Sequence, residues 1–264
     1  MRSITEMNKI IIGDCIDVMA TMPEGCIDLV VTSPPYDNLR SYGETLKWNA
    51  EVWTNAIKQL YRIVKDGGVV VWITADSVNN GGETGNSFRQ ALCFQECGFK
   101  IYDTMIWEKD TFAFPEKRRY RNAMEYMFVF SKGMPKTVNL IEDRPNKYAG
   151  SQVHGTSRGR DGQTFRKSND KKSVVKDLGI RYNIWEIAGE KNNKYGHPAP
   201  FPLKLAQDHI LSWSNEGDTV LDCFAGSGTT GEAAINLGRK FILIEKNPDY
   251  EWMMRDRTRS LFDV

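Results

Sequence analysis

Ser33, Pro34, Pro35 and Tyr36, with Thr32 just before them, close the apolar run 27–31, and their types and spacing speak of chemistry. Proline fixes φ, lacks an N–H and keeps the residue before it out of the helical region. The run therefore cannot continue as a paired strand. Ser33 is expected in a stiff, extended turn at a strand's carboxyl end, its hydroxyl and carbonyl aimed outward. Ligands of open α/β sheets bind at such ends. Acceptors held this way suit an amine, and Tyr36 supplies a ring on which a flat group can stack. Taken alone, the four residues read equally well as a rigid loop.

A second chemical segment lies near the carboxyl end. Gly226, Gly228 and Gly231 satisfy the G-x-G-x-x-G spacing between an expected strand at 219–223 and a helix beginning at Thr229. Glu245 closes the next strand, where a carboxylate can accept from ribose hydroxyls. NAD or FAD is one possible occupant of such a turn. Asp222, just before it, suits a cationic ligand better than a pyrophosphate, and the chain has no substrate domain of the kind a dehydrogenase needs. An adenosine bearing a positive methionine tail fits the same turn, and so does a plain tight turn with no ligand.

Alternating elements must position these two segments. Strands are expected at 10–12, 27–31, 69–74, 100–107, 126–130, 219–223 and 241–244. Helices are expected at 15–22, 50–64, 87–97, 203–213 and 229–237, with a last one from Pro248 to Arg257. In the second helix Val52, Trp53, Ala56, Ile57, Leu60 and Tyr61 recur at helical spacing. Strands alternating with helices predict an α/β fold, a Rossmann-like, doubly wound and mostly parallel sheet. The pattern breaks from 132 to 181, where Gly, Ser, Asn, Lys and Arg dominate and periodicity is weak. That segment reads as an insertion.

A chain of 264 residues suits one large domain, or one domain with an insertion. No run approaches the ~18 apolar residues of a membrane span, and the first nine residues lack the apolar stretch of a secretory signal, so a cytoplasmic protein without a membrane partner is expected. Cys15, Cys26, Cys93, Cys97 and Cys223 are scattered and odd in number. Cys93 and Cys97 have no second pair to complete a zinc site, so free thiols and no metal are expected. The net charge of +1 hides an uneven distribution. Residues 131–183 hold 12 Lys and Arg against 5 Asp and Glu, and the remainder holds 23 against 29. Lys117, Arg118, Arg119 and Arg121 form a second basic cluster. Such asymmetry is either a footprint for phosphate or a solvated face.

Taken together, these segments resemble the DNA amino-methyltransferases that modify N4 of cytosine or N6 of adenine. The family's catalytic motif matches at Ser33-Pro34-Pro35-Tyr36, and its cofactor motif at Asp222-Cys223-Phe224-Ala225-Gly226-Ser227-Gly228-Thr229, followed by Glu245. A further element matches at His197-Pro198-Ala199-Pro200-Phe201-Pro202. Gly13-Asp14 resembles the segment that contacts the cofactor's adenine, and 125–130 looks like the strand before the family's target-recognition region. The catalytic motif comes first and the cofactor motif last, the permuted order called the β group. The resemblance covers nearly all of the chain outside the basic insertion.

The resemblance implies a class I methyltransferase fold divided into a catalytic half at 1–131, a target-recognition insertion at 132–183 and a cofactor-binding half at 184–264. The implied cofactor is S-adenosyl-L-methionine, held by Asp14, Pro200, Phe201, Asp222, Phe224, Ala225, Gly226, Ser227, Gly228, Thr229 and Glu245. His197 is expected to be structural or to form part of a cofactor shelf; Phe201 packs on the methionine side or in the core, and Asp37 reads as a solvated turn acid. The implied partner is double-stranded DNA, contacted by Lys117, Arg118, Arg119, Arg121, Arg158, Arg160, Arg166 and Lys167. A prokaryotic or phage source is expected. Homodimers and cognate restriction endonucleases occur in this group.

An exocyclic amino nitrogen is a poor nucleophile, because its lone pair is delocalised into the ring. Acceptors on its two hydrogens favour the tetrahedral transition state, and the resemblance implies the Ser33 side chain and the Pro34 carbonyl for that role. By the same resemblance Tyr36 is expected to stack on a base flipped out of the duplex. No Pro-Cys dipeptide is present, which sets aside carbon-5 cytosine chemistry. Family members with Ser first in the motif mostly modify cytosine N4, and those with Asp or Asn mostly adenine N6, so Ser33 favours cytosine. Competing readings are an NAD-type oxidoreductase, methylation of RNA or a small amine, and a non-catalytic nucleic-acid binder. Damage to Ser33–Tyr36 or to Asp222 would mark the last of these, and both are intact.

Overall fold

Strands and helices alternate along the chain in the computed structural model, which describes residues 8–35, 48–110, 118–152, 156–166, 174–189, 196 and 201–259. The first half contains β1 (Lys9–Ile12), α1 (Cys15–Ala20), β2 (Ile27–Thr32), α2 (Ala50–Ile63), β3 (Val64–Thr74), the hairpin strands β4 (Val78–Asn79) and β5 (Gly82–Glu83), α3 (Asn86–Glu96), β6 (Lys100–Glu108) and β7 (Met124–Ser131). Short strands follow: β8 (Arg144–Pro145), β9 (Thr156–Arg158), β10 (Thr164–Arg166) and β11 (Leu178–Gly179). The last part contains β12 (Ile184–Glu186), α4 (Leu203–Trp213), β13 (Thr219–Asp222), α5 (Thr229–Asn236), β14 (Lys240–Glu245) and α6 (Glu251–Arg257).

Eight strands form one sheet in the order β1-β14-β13-β2-β3-β7-β6-β12. Every pairing is parallel except the two made by β7 with β3 and β6. The sheet is thus mixed and mostly parallel, as the alternation of elements predicts. Antiparallel neighbours need no crossover helix, and 109–123 carries no helical periodicity, which accounts for the reversed β7.

Helices cover both faces, so the strands must be apolar on both sides. On β2, Val30 joins α1, α2 and α3 through Met19, Trp53, Leu60 and Phe94. Its neighbours Leu29 and Val31 point to the other face, with Leu205 and Ile210 of α4, Ala233 of α5 and Met254 of α6. Ile27, Leu29, Val30 and Val31, interrupted only by the half-buried Asp28, carry the signature of that double burial.

Several boundaries differ from expectation. The strand expected from 69 begins at Val64, because Ile27 pairs with Val64 before a register shift ahead of Leu29. The first helix ends at Ala20, where the Thr21 N–H turns back to the Val18 carbonyl at 3.1 Å. Pro248–Tyr250 forms a 3-10 turn before α6, not the start of a long helix. β12 was not anticipated; its three residues are too few to show a period.

The chain divides into two compact units, one of residues 1–139 with 183–264 and one of 140–182. Residues 132–139 belong to the larger unit. The Gly67 N–H donates to the Lys132 carbonyl at 2.6 Å, and the Asn139 N–H to the Ser212 carbonyl at 2.8 Å. In the smaller unit β8 pairs with β11 and β9 with β10. Arg181 pairs with Asp143, and Arg144 lies 4.6 Å from the Tyr182 ring centre. None of its described residues is buried.

Candidate functional site

Four adjacent parallel strands, β1, β14, β13 and β2, end at one edge of the sheet. Ile12 is in register with Glu245, Asp222 with Leu243, and Leu221 with Val30. The Gly13-Asp14 turn, the Glu245 carboxylate, the glycine turn and the Ser33-Pro34-Pro35 exit therefore all emerge side by side. Two motifs nearly 200 residues apart become neighbours because β13 inserts beside β2.

The glycine turn is tightly determined. Gly228 caps α5 with φ +86°, and a Cβ there would lie 3.0 Å from the Met254 Cα. At Gly231 a Cβ would lie 2.8 Å from Leu243 Cδ1, so only glycine lets α5 approach β14 this closely. Ser227 and Thr229 are buried, Ala225 donates its N–H to the Ile244 carbonyl at 3.0 Å, and Phe224 is half-buried. The Phe224 ring meets Trp48 edge-on at 5.3 Å and Trp72 at 6.0 Å.

Glu245 is partly exposed, and each oxygen accepts a backbone N–H: Oε2 from Gly226 and Oε1 from Asn247, both at 2.8 Å. Burial raises its pKa above the usual carboxylate value, against those hydrogen bonds. Asp14 caps α1 through the Ile16 N–H at 2.9 Å, and its other oxygen pairs with Lys246 at 3.1 Å.

Asp222 departs from expectation. Its carboxylate does not face an opening: the residue is fully buried, and both oxygens accept from the protein. Thr32 Oγ1 and Phe224 N donate to Oδ1 at 2.6 and 3.1 Å, and Thr230 Oγ1 donates to Oδ2 at 2.6 Å. Burial pushes its pKa up to about 6; the three hydrogen bonds lower it, and the charge of Glu245 raises it further.

Of the other expected site residues, Ser33 and Pro35 are half-buried and Pro34 is buried at the exit of β2. Phe201, just before α4, packs against the Leu29 and Val31 side of the core. Tyr36, Asp37, Lys117, Lys167, His197 and Pro200 lie outside the described residues. Arg118 and Arg121 are exposed and Arg119 is half-buried, donating to the Gly81 carbonyl. Arg158 and Arg160 are exposed on the β9–β10 hairpin, and Arg166 ends its second strand. Cys15 and Cys223 are buried free thiols; burial pushes the pKa of Cys15 up to about 12 and raises that of Cys223 well above its usual value. Among the described residues no group of acidic, His and Cys side chains could hold a metal, and no helix is long and apolar enough to cross a membrane.

The sequence assigned no role of their own to Thr32, Thr230, Lys246, Trp48 and Trp72. Thr32 and Thr230 adjoin recognised motifs, which was the available signal. Nothing local marks the tryptophans.

Residues 27–255 match the N6_N4_Mtase family, described as DNA methylase. The chain belongs to that family. The methylase is 47% identical over 257 residues to the orphan methyltransferase M.BamHII of Bacillus amyloliquefaciens, covering 94% of this chain and 91% of that one. Its fold matches the PvuII DNA methyltransferase (cytosine-N4-specific) with TM-score 0.69 at 22% identity, over 96% of this chain and 86% of the other. It also matches the M1.HpyAVI–SAM complex with TM-score 0.63 at 22% identity, over 96% and 99%. The oxidoreductase reading of the glycine spacing falls with this membership.

Proposed function

We propose that this DNA methylase is dependent on S-adenosylmethionine and acts on the exocyclic N4 of a cytosine turned out of the duplex. The observation that carries the reading is the convergence of the Ser33-Pro34-Pro35 exit with the glycine turn and the Glu245 carboxylate at one sheet edge.

The residues fit such a cofactor. Each Glu245 oxygen has one backbone N–H and keeps acceptor capacity for ribose hydroxyls. Ala225, Gly226, Ser227, Gly228 and Thr229 form the close-approach turn, Phe224 and Phe201 are apolar walls, and Asp14 stands beside the Glu245 end. M1.HpyAVI, of the same fold, has been solved with this compound. Bound there, S-adenosylmethionine supplies an electrophilic methyl group.

The chain's own residues do the rest. The Ser33 hydroxyl and the Pro34 carbonyl accept from the amino hydrogens and favour the pyramidal nitrogen. The two prolines hold these acceptors rigid before the base arrives. Tyr36 stacks on the base, whose pairing edge must leave the helix to be reached. Ser33 in the first motif position favours cytosine over adenine, and the PvuII match is to an enzyme described as cytosine-N4-specific. The smaller unit, with 10 Lys and Arg against 5 Asp and Glu, is the proposed target-recognition region, and its Arg158 and Arg160 meet phosphates. Lys117, Arg118, Arg119 and Arg121 add a second phosphate contact. A cognate endonuclease and a homodimer belong to the same reading; the word orphan in the name of M.BamHII weighs against the endonuclease.

Digestion of DNA methylated by the protein, with mass spectrometry of the nucleosides, tests the base. N4-methylcytosine is the expected product, and N6-methyladenine alone would move the assignment to adenine.

A further inference from the structure

Backbone pairing between β2 and β13 covers only Leu29 with Val220 and Val30 with Leu221. It stops before Thr32 and Asp222, the residues that precede the two loops of the proposed site. Side chains take over at that point. The Thr32 hydroxyl donates to Asp222 Oδ1 and the Thr230 hydroxyl to Oδ2, both at 2.6 Å, and Thr230 Oγ1 also lies 3.3 Å from the Val31 carbonyl. Thr32, Asp222 and Thr230 are all fully buried. Hydroxyl-to-carboxylate bonds this short are charge-assisted and stronger than neutral ones. The Phe224 N–H, on the same Oδ1 at 3.1 Å, fixes the first step of the glycine turn.

We propose that Asp222 is a positioning residue: with Thr32 and Thr230 it clasps the Ser33 exit to the glycine turn, so that the two loops keep one fixed separation. This rests on the reading of those loops as base and cofactor sites. It replaces a direct role for Asp222 toward a cationic ligand, since both carboxylate oxygens are turned inward and held by the protein. Thr32 reports on the base side through its neighbour Ser33, and Thr230 on the cofactor side through α5. A clasp therefore predicts crossed effects. Removing a hydroxyl on one side disturbs the other side through Asp222.

Thr32→Val, Thr230→Val and the double variant, made in the full chain, test this. Expected are cofactor binding about fivefold weaker in Thr32→Val by calorimetry, and single-turnover methyl transfer about tenfold slower in Thr230→Val at saturating cofactor and DNA. The double variant should lose less than the product of the single effects, as groups acting through one shared partner do. Thr32→Ser and Thr230→Ser keep the hydroxyl and should restore both quantities to within about threefold. The proposal is overturned if Thr32→Val changes only transfer, Thr230→Val changes only cofactor binding, and the two effects multiply. Amide hydrogen exchange without ligand gives a second reading. Thr230→Val should speed exchange at Thr32 and Ser33, and Thr32→Val at 224–226; acceleration confined to the mutated element would also overturn it. Failure of the unaltered protein to bind S-adenosylmethionine would instead refute the cofactor assignment, leaving the exchange result to judge the clasp.

Discussion

Between Ile27 and Thr32 every residue except Asp28 is buried, whereas no described residue from 140 to 182 is. The larger unit is held by apolar packing on both faces of one sheet. The smaller is held by short strand pairs, the Arg181–Asp143 and Lys176–Glu142 ion pairs, and the Arg144–Tyr182 contact. Burial confers rigidity, because close-packed side chains leave few alternatives. Ion pairs near the surface add little stability, and the excess of Lys and Arg over acids leaves the unit net positive. The proposed function uses both: loops held in place for group transfer, and a surface that meets phosphate.

The comparison can be broken most severely in the core. Leu221→Ala, fully buried beside β2, should cost about 2–5 kcal/mol in denaturant unfolding. A cost below about 0.5 kcal/mol would mean that the sheet does not carry the larger unit's stability. Ser33→Ala should leave the fold intact and slow methyl transfer by about 100-fold or more, with cofactor affinity within about threefold; Tyr36→Ala should do the same. Loss of cofactor binding in either variant would refute the division of labour between the two loops.

Acidity sharpens the contrast, because the larger unit buries a carboxylate. The folded-state pKa of Asp222, about 6, lies above its ordinary 3.8. Between those values the folded protein holds the extra proton, so the cost of the buried charge is absent below about pH 4 and complete above about pH 6. Relative to Asp222→Asn, the unaltered protein should therefore lose stability as pH rises through that window, by up to about 3 kcal/mol. Calorimetric melting of both proteins from pH 4 to 7 measures this, and a constant difference would refute it. Arg158→Glu should weaken DNA binding severalfold and flatten the log–log salt dependence by about 1 to 2, with melting unchanged. The smallest effect is expected at Leu178, 44% exposed in the smaller unit, where alanine should change stability by about 0.5 kcal/mol or less.

Much of the larger unit was legible in the chain. Short stretches rich in apolar and β-branched residues, bounded by glycine, proline or a polar turn, located β2, β13 and β14, and helical spacing located α2 and α4 to within a residue or two. β12 escaped because three residues show no period, and the direction of β7 escaped because a strand's apolar pattern is the same read either way. In the smaller unit the sequence announced only charge, since pairs such as Arg144 with Ile180 depend on long-range closure and leave no periodic trace.

The site divides along the same line. Local chemistry determined the stiff Ser33 exit, the close-approach glycines and the acid closing β14, because proline, glycine and strand ends act within a few residues of themselves. The partner of Asp222 was decided only by the fold. A carboxylate before a glycine turn reads as a ligand for a cation until strand order places Thr32, 190 residues earlier, against it. Hydrogen bonds are directional and short, so which donor meets a buried acceptor follows from tertiary register, which no local pattern contains.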